Sequence, residues 1–140
     1  MYKKRLLVSF FVILLVGKIS ANEVSFTLEI HGVNVNGGTV IGGIYSNNSY
    51  NTRNPPEFDF QRDPVNNIIY FTLQIPQGEW VIQVFQDTND NGRLDFGLFG
   101  IPREPIGISN WNGRGSPGNF NRHKVSIYNG SRIAVQLSPR

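Results

Sequence analysis

The sequence contains no cysteine among its 140 residues. Disulfides and thiolate metal centres are therefore excluded, and so are the small secreted scaffolds that disulfides hold together. A lipid anchor attached through an N-terminal cysteine is excluded for the same reason. Without covalent links the fold has to be stabilised by a hydrophobic core, and the chain is long enough to form one.

Residues that commonly carry catalysis are also scarce. His31 and His123 are the two histidines, and no nucleophile motif of the G-x-S-x-G type occurs. Ser109 and Ser116 have no recognisable base partner in the sequence. The sequence offers acids without a histidine or serine constellation, which favours a non-enzymatic role over a hydrolase.

The first twenty-one residues follow the pattern of a secretory signal peptide. Residues 3–5 are basic, residues 6–16 form an apolar run interrupted only by Ser9, and the small residues Gly17, Ser20 and Ala21 follow. The apolar run is shorter than the roughly 20 residues that a membrane-spanning helix needs, so a cleaved signal is favoured over an uncleaved anchor. We predict a signal peptide at residues 1–21, one domain at residues 22–140, and a secreted or periplasmic product.

The net charge of +3 comes from this leading segment. It holds four of the thirteen Lys and Arg residues and none of the ten acids, so the rest of the chain carries nine basic residues against ten acidic ones. No basic patch remains for a nucleic acid, and nucleic-acid binding is not predicted. No stable membrane insertion is expected once the signal has been removed.

Several segments alternate apolar and polar residues with a period of two, which predicts half-buried β-strands. We expect about six to seven strands, no substantial helix and a single all-β domain of the β-sandwich class. The segments with strand character are residues 24–30, 39–45, 69–75, 80–85, 124–128 and 132–137.

Glycine and proline mark the turns between these strands. Residues 76–79 and Asn129-Gly130 each predict a β-hairpin that joins the strands on either side. The paired Gly42-Gly43 predicts a bulge or a close backbone approach within the second strand. Residues 46–66 and 87–121 are long polar segments that we do not expect to form strands, and loops of that length are often functional.

One stretch within the second long segment, residues 87–95, concentrates oxygen-bearing side chains. A loop with ligands at alternate positions can surround calcium, which takes six to eight oxygen ligands. The first half of the stretch matches the EF-hand pattern D-x-[DN]-x-[DN]-G, with Gly92 at the sharp turn. We predict a calcium site in which Arg93 offers its backbone carbonyl and the side-chain ligands are Asp87, Asn89, Asn91 and Asp95.

The match to an EF-hand is incomplete. Leu98 stands at position twelve, where a bidentate glutamate belongs, and no helices are predicted on either side. Glu104 is the nearest candidate for the missing ligand. We expect residues 99–102 to tuck beneath the loop and to bring Glu104 back towards it.

An alternative needs no ion, because Asp, Asn and Gly are ordinary turn residues that bond the local backbone. Three carboxylates, Asp87, Asp90 and Asp95, lie within nine residues, and their mutual repulsion favours a cation. Both interpretations stay open at this point.

Two further candidates are weaker. Glu57, Asp59 and Asp63 could supply a carboxylate pair for glycoside chemistry, although a solvated acidic loop is the more common arrangement. Trp111, beside Asn110, Asn112 and Arg114, could stack on a sugar. We favour a Trp111 that packs the loop onto the sandwich.

Four ordered blocks of motifs follow one another along the sequence: residues 78–87, 89–95, 99–104 and 107–110. Together they resemble the bacterial "domain of unknown function 2141" family, and the resemblance extends over residues 24–137. It implies a secreted or periplasmic β-sandwich of the immunoglobulin-like or transthyretin-like kind, with no established activity and with residues 87–110 as one structured loop. Trp80-Val81 departs from the family's usual Tyr-Ala, and Ile106 and Ile108 stand where aromatics are common.

Three functional hypotheses follow. The first is an exported, non-enzymatic domain whose loop is ordered by calcium and supports binding of an unidentified protein or glycan partner. The second is a carboxylate-based hydrolase. The third is a structural cell-envelope module without an ion. We favour the first.

Overall fold

The computed structural model describes residues 22–139, so the predicted signal peptide lies outside the described residues. The described part is an all-β fold, as predicted, and its only helical pieces are a 3-10 turn and one short helix, α1. None of its helices is long or apolar enough to span a membrane. The elements are β1 (Glu23–His31), β2 (Thr39–Tyr45), β3 (Phe58–Arg62), β4 (Ile68–Pro76), β5 (Gly78–Asp87), the 3-10 turn (Leu98–Gly100), β6 (Ile106–Ile108), α1 (Phe120–His123), β7 (Val125–Ile127) and β8 (Arg132–Gln136).

The strands form two sheets. One has the order β4-β1-β8, and the other has the order β3-β2-β5-β6, with β7 also paired to β5. In the first sheet β1 is antiparallel to β4 and parallel to β8. The first strand therefore pairs with the last one, and chain segments distant in sequence close the fold.

Alternation along β1 decides which side chains enter the core. Phe26 and Leu28 are buried, and the alternate residues Ser25, Thr27 and Glu29 are only partly buried. Their antiparallel partners on β4 are Leu73 and Phe71, so apolar residues face one another across the pair. Cross-strand pairs of this kind stabilise a sheet and fix its register.

A single hydrophobic core joins the two sheets. Val40 and Ile44 of β2 are fully buried in the same cluster as the apolar face of β1. Phe60 of β3 packs on Phe71 of β4, with ring centroids 4.7 Å apart. This core supplies the stabilisation that disulfides cannot supply here. The choice between an immunoglobulin-like and a transthyretin-like arrangement stays a prediction.

A second, smaller core lies beside β6. Trp111 is buried there with Val81 and Ile108, so the packing role favoured for this tryptophan is confirmed. Its indole N–H donates to the carbonyl of Arg114. The ring is not an open platform for a sugar.

The hairpin predicted at residues 76–79 is wrong, because β4 and β5 belong to different sheets. The turn is an arch that carries the chain across the core. The indole N–H of Trp80 donates to the carbonyl of Pro76 at 3.0 Å and holds the arch closed. A tight turn between two half-buried strands has the same local sequence in a hairpin and in an arch.

The hairpin predicted at Asn129-Gly130 is wrong for the same reason, since β7 pairs with β5 and β8 pairs with β1. The turn is bonded to β1 instead of closing a local ladder. Gly130 N donates to Ser25 O at 2.8 Å, and the side chain of Asn129 accepts from Ser25 N.

The two long polar segments contain more regular structure than predicted. β3 lies within residues 46–66, and β6 with α1 lies within residues 87–121 and the two residues that follow. These elements are short, and the strands among them are stabilised mainly by pairing with β2 and β5. Such edge strands show little periodicity of their own in the sequence.

The paired glycines of β2 mark a close approach, which is one of the two predicted reasons for them. Their pairing with β5 runs without a bulge. A Cβ at Gly42 would lie 2.2 Å from the ring of Phe60, its partner on β3. Glycine therefore leaves the space through which Phe60 enters the core.

We expect Gly42→Ala to lower the free energy of unfolding by about 1–3 kcal/mol, because the methyl group overpacks against the Phe60 ring. Urea denaturation measures the change. In a Phe60→Leu background the same substitution should cost less, since the ring has gone. An equal cost in both backgrounds would show that the ring is not the cause.

Candidate functional site

The loop at residues 87–95 leaves the end of β5 and turns sharply. Asp87 is the last residue of that strand, pairs with Thr39 on β2, and is only 2% exposed. Its carboxylate oxygens accept the backbone N–H groups of Asn91 at 3.2 Å and Gly92 at 2.7 Å. Gly92 has φ 75°, a left-handed conformation that glycine adopts without strain. Asp87 thereby folds the chain back on itself.

Three predicted ligands converge further along the loop. The side-chain amides of Asn89 and Asn91 each lie 2.6 Å from the same oxygen of Asp95, Oδ2. The side-chain oxygen of Asn91 accepts from the backbone N–H of Arg93. Two amides and one carboxylate therefore meet at a single point on the surface.

The hydrogen bond from Asn89 is the main reason why the pKa of Asp95 is lowered. A smaller opposing effect of burial is outweighed by the Asn91 amide and by the positive charges of Arg93 and Arg103. Asp95 therefore carries its negative charge over a wider pH range than a free aspartate does.

Glu104 returns to the loop from the other side, as predicted. It is 1% exposed, and its two oxygens accept the backbone N–H groups of Thr88 at 3.0 Å and Asp95 at 3.1 Å. One buried carboxylate therefore joins both ends of the polar loop.

A polar depression of about 360 Å³ lies over these groups. Arg93 lines it, and its Nε lies 3.7 Å from Asp95 Oδ1. Asp90, the third carboxylate of the stretch, is exposed. Glu104 and all the predicted ligands except Asp87 border this depression.

Within residues 22–139 no group of three or more His, Asp or Glu side chains is placed to share a metal ion. Asp87, Asp95 and Glu104 each face hydrogen-bond donors of the loop instead. Of the predicted set, the structure brings Asn89, Asn91 and Asp95 together at one point. Asp87 and Glu104 lie beneath the loop as acceptors of backbone N–H groups.

A short hairpin at residues 96–102, which we call the apolar hairpin, follows the polar loop. Phe96 and Pro102 form a β-bridge at its base. Gly97 N donates to Ile101 O at 2.7 Å and closes its tip. Arg103 N donates to Asp95 O at 2.8 Å, which ties the hairpin to the polar loop.

The expectation that residues 99–102 tuck beneath the loop is wrong. Phe99 is 98% exposed and Leu98 is 81% exposed, so the tip is open to solvent instead of buried beneath the loop. Glu104 reaches the loop because the hairpin reverses the chain, with Phe96 bridged to Pro102 and Asp95 bonded to Arg103. The run Gly97-Leu98-Phe99-Gly100 signalled a tight apolar turn, but turn residues do not reveal which way a loop points.

Two acids of the first long segment, Glu57 and Asp63, accept hydrogen bonds from nearby hydroxyls. Glu57 accepts hydrogen bonds from the hydroxyls of Ser46 and Ser49, whereas Asp63 accepts from the hydroxyl of Thr39. Partial burial acts to raise the pKa of Glu57, but the bonds from the two serines outweigh it and the pKa is lowered. The Glu57 contacts close the turn after β2.

Ser109 and His123 are neighbours, but not as a nucleophile and its base. The Ser109 hydroxyl donates to the backbone carbonyl of His123 at 2.7 Å. The ring Nε2 accepts from Gly118 N at 2.7 Å, and Nδ1 faces Ser109 O at 3.2 Å, which fixes a neutral ring. His123 is fully buried and joins loop segments.

Fold and site together define a small all-β domain whose two sheets enclose the main hydrophobic core and which carries a structured polar loop at the end of β5. The chain belongs to the bacterial family described as "Uncharacterized protein conserved in bacteria (DUF2141)", whose model matches residues 28–135. This membership confirms the resemblance drawn from the four sequence blocks. No curated protein and no solved structure matches the chain.

The lowered pKa of Asp95 makes a prediction for carboxyl NMR titration. Asp95 stabilises the fold above about pH 4, the pKa of an unfolded aspartate, and this contribution is lost as the pH falls through its lower folded pKa. Asn89→Ala removes the main cause, so the titration midpoint should move up towards the unfolded value. A midpoint that does not move would show that the Asn89 contact is absent in solution.

Proposed function

We propose that this chain is an exported, non-enzymatic β-sandwich domain whose polar loop binds one calcium ion. The observation that carries the proposal is the convergence of Asn89 and Asn91 on one oxygen of Asp95. Side chains two and four residues apart meet at a point that opens onto a polar depression. Such convergence is what a small hard cation requires.

The chemistry of these groups suits calcium. The nitrogen and oxygen of a side-chain amide have nearly the same shape, so a half-turn about the terminal torsion would present the oxygens of Asn89 and Asn91. Asp95 supplies a carboxylate, and Arg93 can offer its backbone carbonyl. Each oxygen of Asp87 accepts one N–H group and keeps a second lone pair. Water in the depression would complete six to eight ligands.

Glu104 has a different part in this proposal. Its two oxygens hold the backbone of Thr88 and Asp95, one at each end of the loop. It supports the site from beneath and contributes negative charge. A direct bond from Glu104 to the ion is not needed.

A second candidate is a turn that closes on itself without an ion. The specific observation in its favour is that both oxygens of Asp87 and both oxygens of Glu104 already accept backbone N–H groups. In that case the domain is a structural module, and the loop serves only to position the apolar hairpin.

A thermal melt of residues 22–140, after chelation, distinguishes the two candidates. If the dissociation constant is near 10 μM, about 1 mM calcium should stabilise the fold by about 2.7 kcal/mol. For a domain of this size the melting temperature should rise by roughly 5 to 15 °C. No rise with calcium, magnesium or manganese would establish the closed turn.

Matched variants on the same loop serve as controls. Asp95→Asn should abolish the calcium shift, whereas Asp90→Asn removes an equal charge from an exposed side chain and should retain most of it. Glu104→Gln should lower the melting temperature without calcium and still leave a shift. Loss of the shift in Asp90→Asn and Asp95→Asn alike would indicate diffuse attraction by charge instead of a site.

Export is the other part of the proposal, and it rests on the predicted signal at residues 1–21. When the full chain is expressed in a bacterium, we expect a product that begins at Asn22 and lies outside the cytoplasm. Mass spectrometry of cell fractions measures both. Leu14→Arg interrupts the apolar run and should leave the chain unprocessed in the cytoplasm. Processing that ignores this substitution would contradict a signal peptide.

A further inference from the structure

We propose that the apolar hairpin docks the domain on an anionic phospholipid surface. Leu98 and Phe99, at its tip, are 81% and 98% exposed. Phe96 and Ile101, at its sides, are each more than half exposed. The seven-residue hairpin therefore exposes four large apolar side chains, and concentrations of exposed apolar residues usually mark interaction sites.

The backbone at Phe99 supports a role outside the domain. Its φ is 60°, a left-handed conformation that costs an L-residue of this size energy and that glycine adopts freely. The Phe99 side chain is not buried within the domain, so core packing does not account for a phenylalanine here. Strained residues of this kind concentrate at functional positions.

The small size of the hairpin favours a lipid surface over a protein partner. A stable protein interface involves roughly 20 to 30 residues on each side, whereas the apolar hairpin has seven. A bilayer interface deforms around a projecting side chain. Gly97 N and Ile101 N are already bonded within the tip, which lowers the cost of moving the backbone out of water.

Charge at the base of the hairpin favours anionic headgroups. The exposed Arg93 and Arg103 lie there, and both act on Asp95 through their positive charge. A Cβ at Gly97 would lie 3.3 Å from Nε of Arg103, so this guanidinium runs alongside the tip. Asp95 offsets one of the two positive charges, and Asp90 is a further exposed carboxylate on the polar loop. Asp87 and Glu104 are buried and accept backbone N–H groups. Basic side chains flanking an apolar tip match the negative potential of an anionic membrane.

Vesicle cosedimentation of residues 22–140 tests the proposal. We expect binding to vesicles of phosphatidylglycerol and phosphatidylcholine and weaker binding to phosphatidylcholine alone. Phe99→Gly should weaken binding on the order of tenfold or more, because it removes one buried aromatic side chain. The same variant should fold normally, since glycine accepts φ 60° without strain.

Val65 provides the matched control, because it is also exposed and apolar but lies in the turn between β3 and β4. Val65→Ser should bind as the unaltered chain does. Arg103→Gln should weaken binding to the anionic vesicles alone. Binding to neither vesicle, or binding that Phe99→Gly leaves unchanged, would overturn the proposal.

Calcium and self-association each need a separate control in the vesicle experiment. Cosedimentation is carried out both with chelator and with about 1 mM calcium, because docking by the apolar hairpin does not rest on an ion. Loss of binding in Phe99→Gly under either condition supports docking on lipid. Sedimentation equilibrium measures self-association of the same chain. If the chain self-associates, if Phe99→Gly abolishes this, and if no vesicle binding is found, the proposal is overturned and the hairpin binds a second copy of this chain.

Discussion

The buried carboxylate of Glu104 is the constraint on which the whole loop region depends. Its two oxygens hold the backbone N–H groups of Thr88 and Asp95, which bracket the polar loop. Burial of a carboxyl group is costly unless its oxygens are hydrogen-bonded, and here each oxygen of Glu104 accepts a backbone N–H group. They also set where the apolar hairpin begins, since Asp95 is tied to Arg103 directly before Glu104. These hydrogen bonds therefore fix the positions of the polar loop and the apolar hairpin relative to each other.

Local periodicity predicted the strands themselves well. The alternation of apolar and polar residues along β1 and β4 indicates which side chains face the core, because successive side chains of a strand point to opposite faces of the sheet. Local periodicity does not indicate which strands pair with each other. Both predicted hairpins proved to be arches between sheets, because a turn sequence specifies a change of direction and not the partner that the next strand finds.

In the candidate site, too, contacts between residues close in sequence were predictable, whereas features that depend on the rest of the fold were not. The spacing of residues 87–95 brought Asn89, Asn91 and Asp95 to one point, since the loop itself enforces that proximity. That Glu104 returns to the polar loop was predicted correctly, but the predicted cause, a tuck of residues 99–102 beneath the loop, was wrong. The exposed tip at Phe99 went unforeseen because apolar residues are normally expected to be buried, and exposure depends on the rest of the fold.

The parallel pairing of β1 with β8 has a consequence for the order of folding. Thr27 lies beside Arg132, so the three-stranded sheet joins the two ends of the described chain. Contacts between residues so distant in sequence form slowly, because the intervening chain has to be closed into a loop first. A chain that emerges N-terminus first, from the ribosome or from an export channel, cannot complete this sheet until β8 has emerged. Until then β1 has an unpaired edge, and the molecule remains without its finished core.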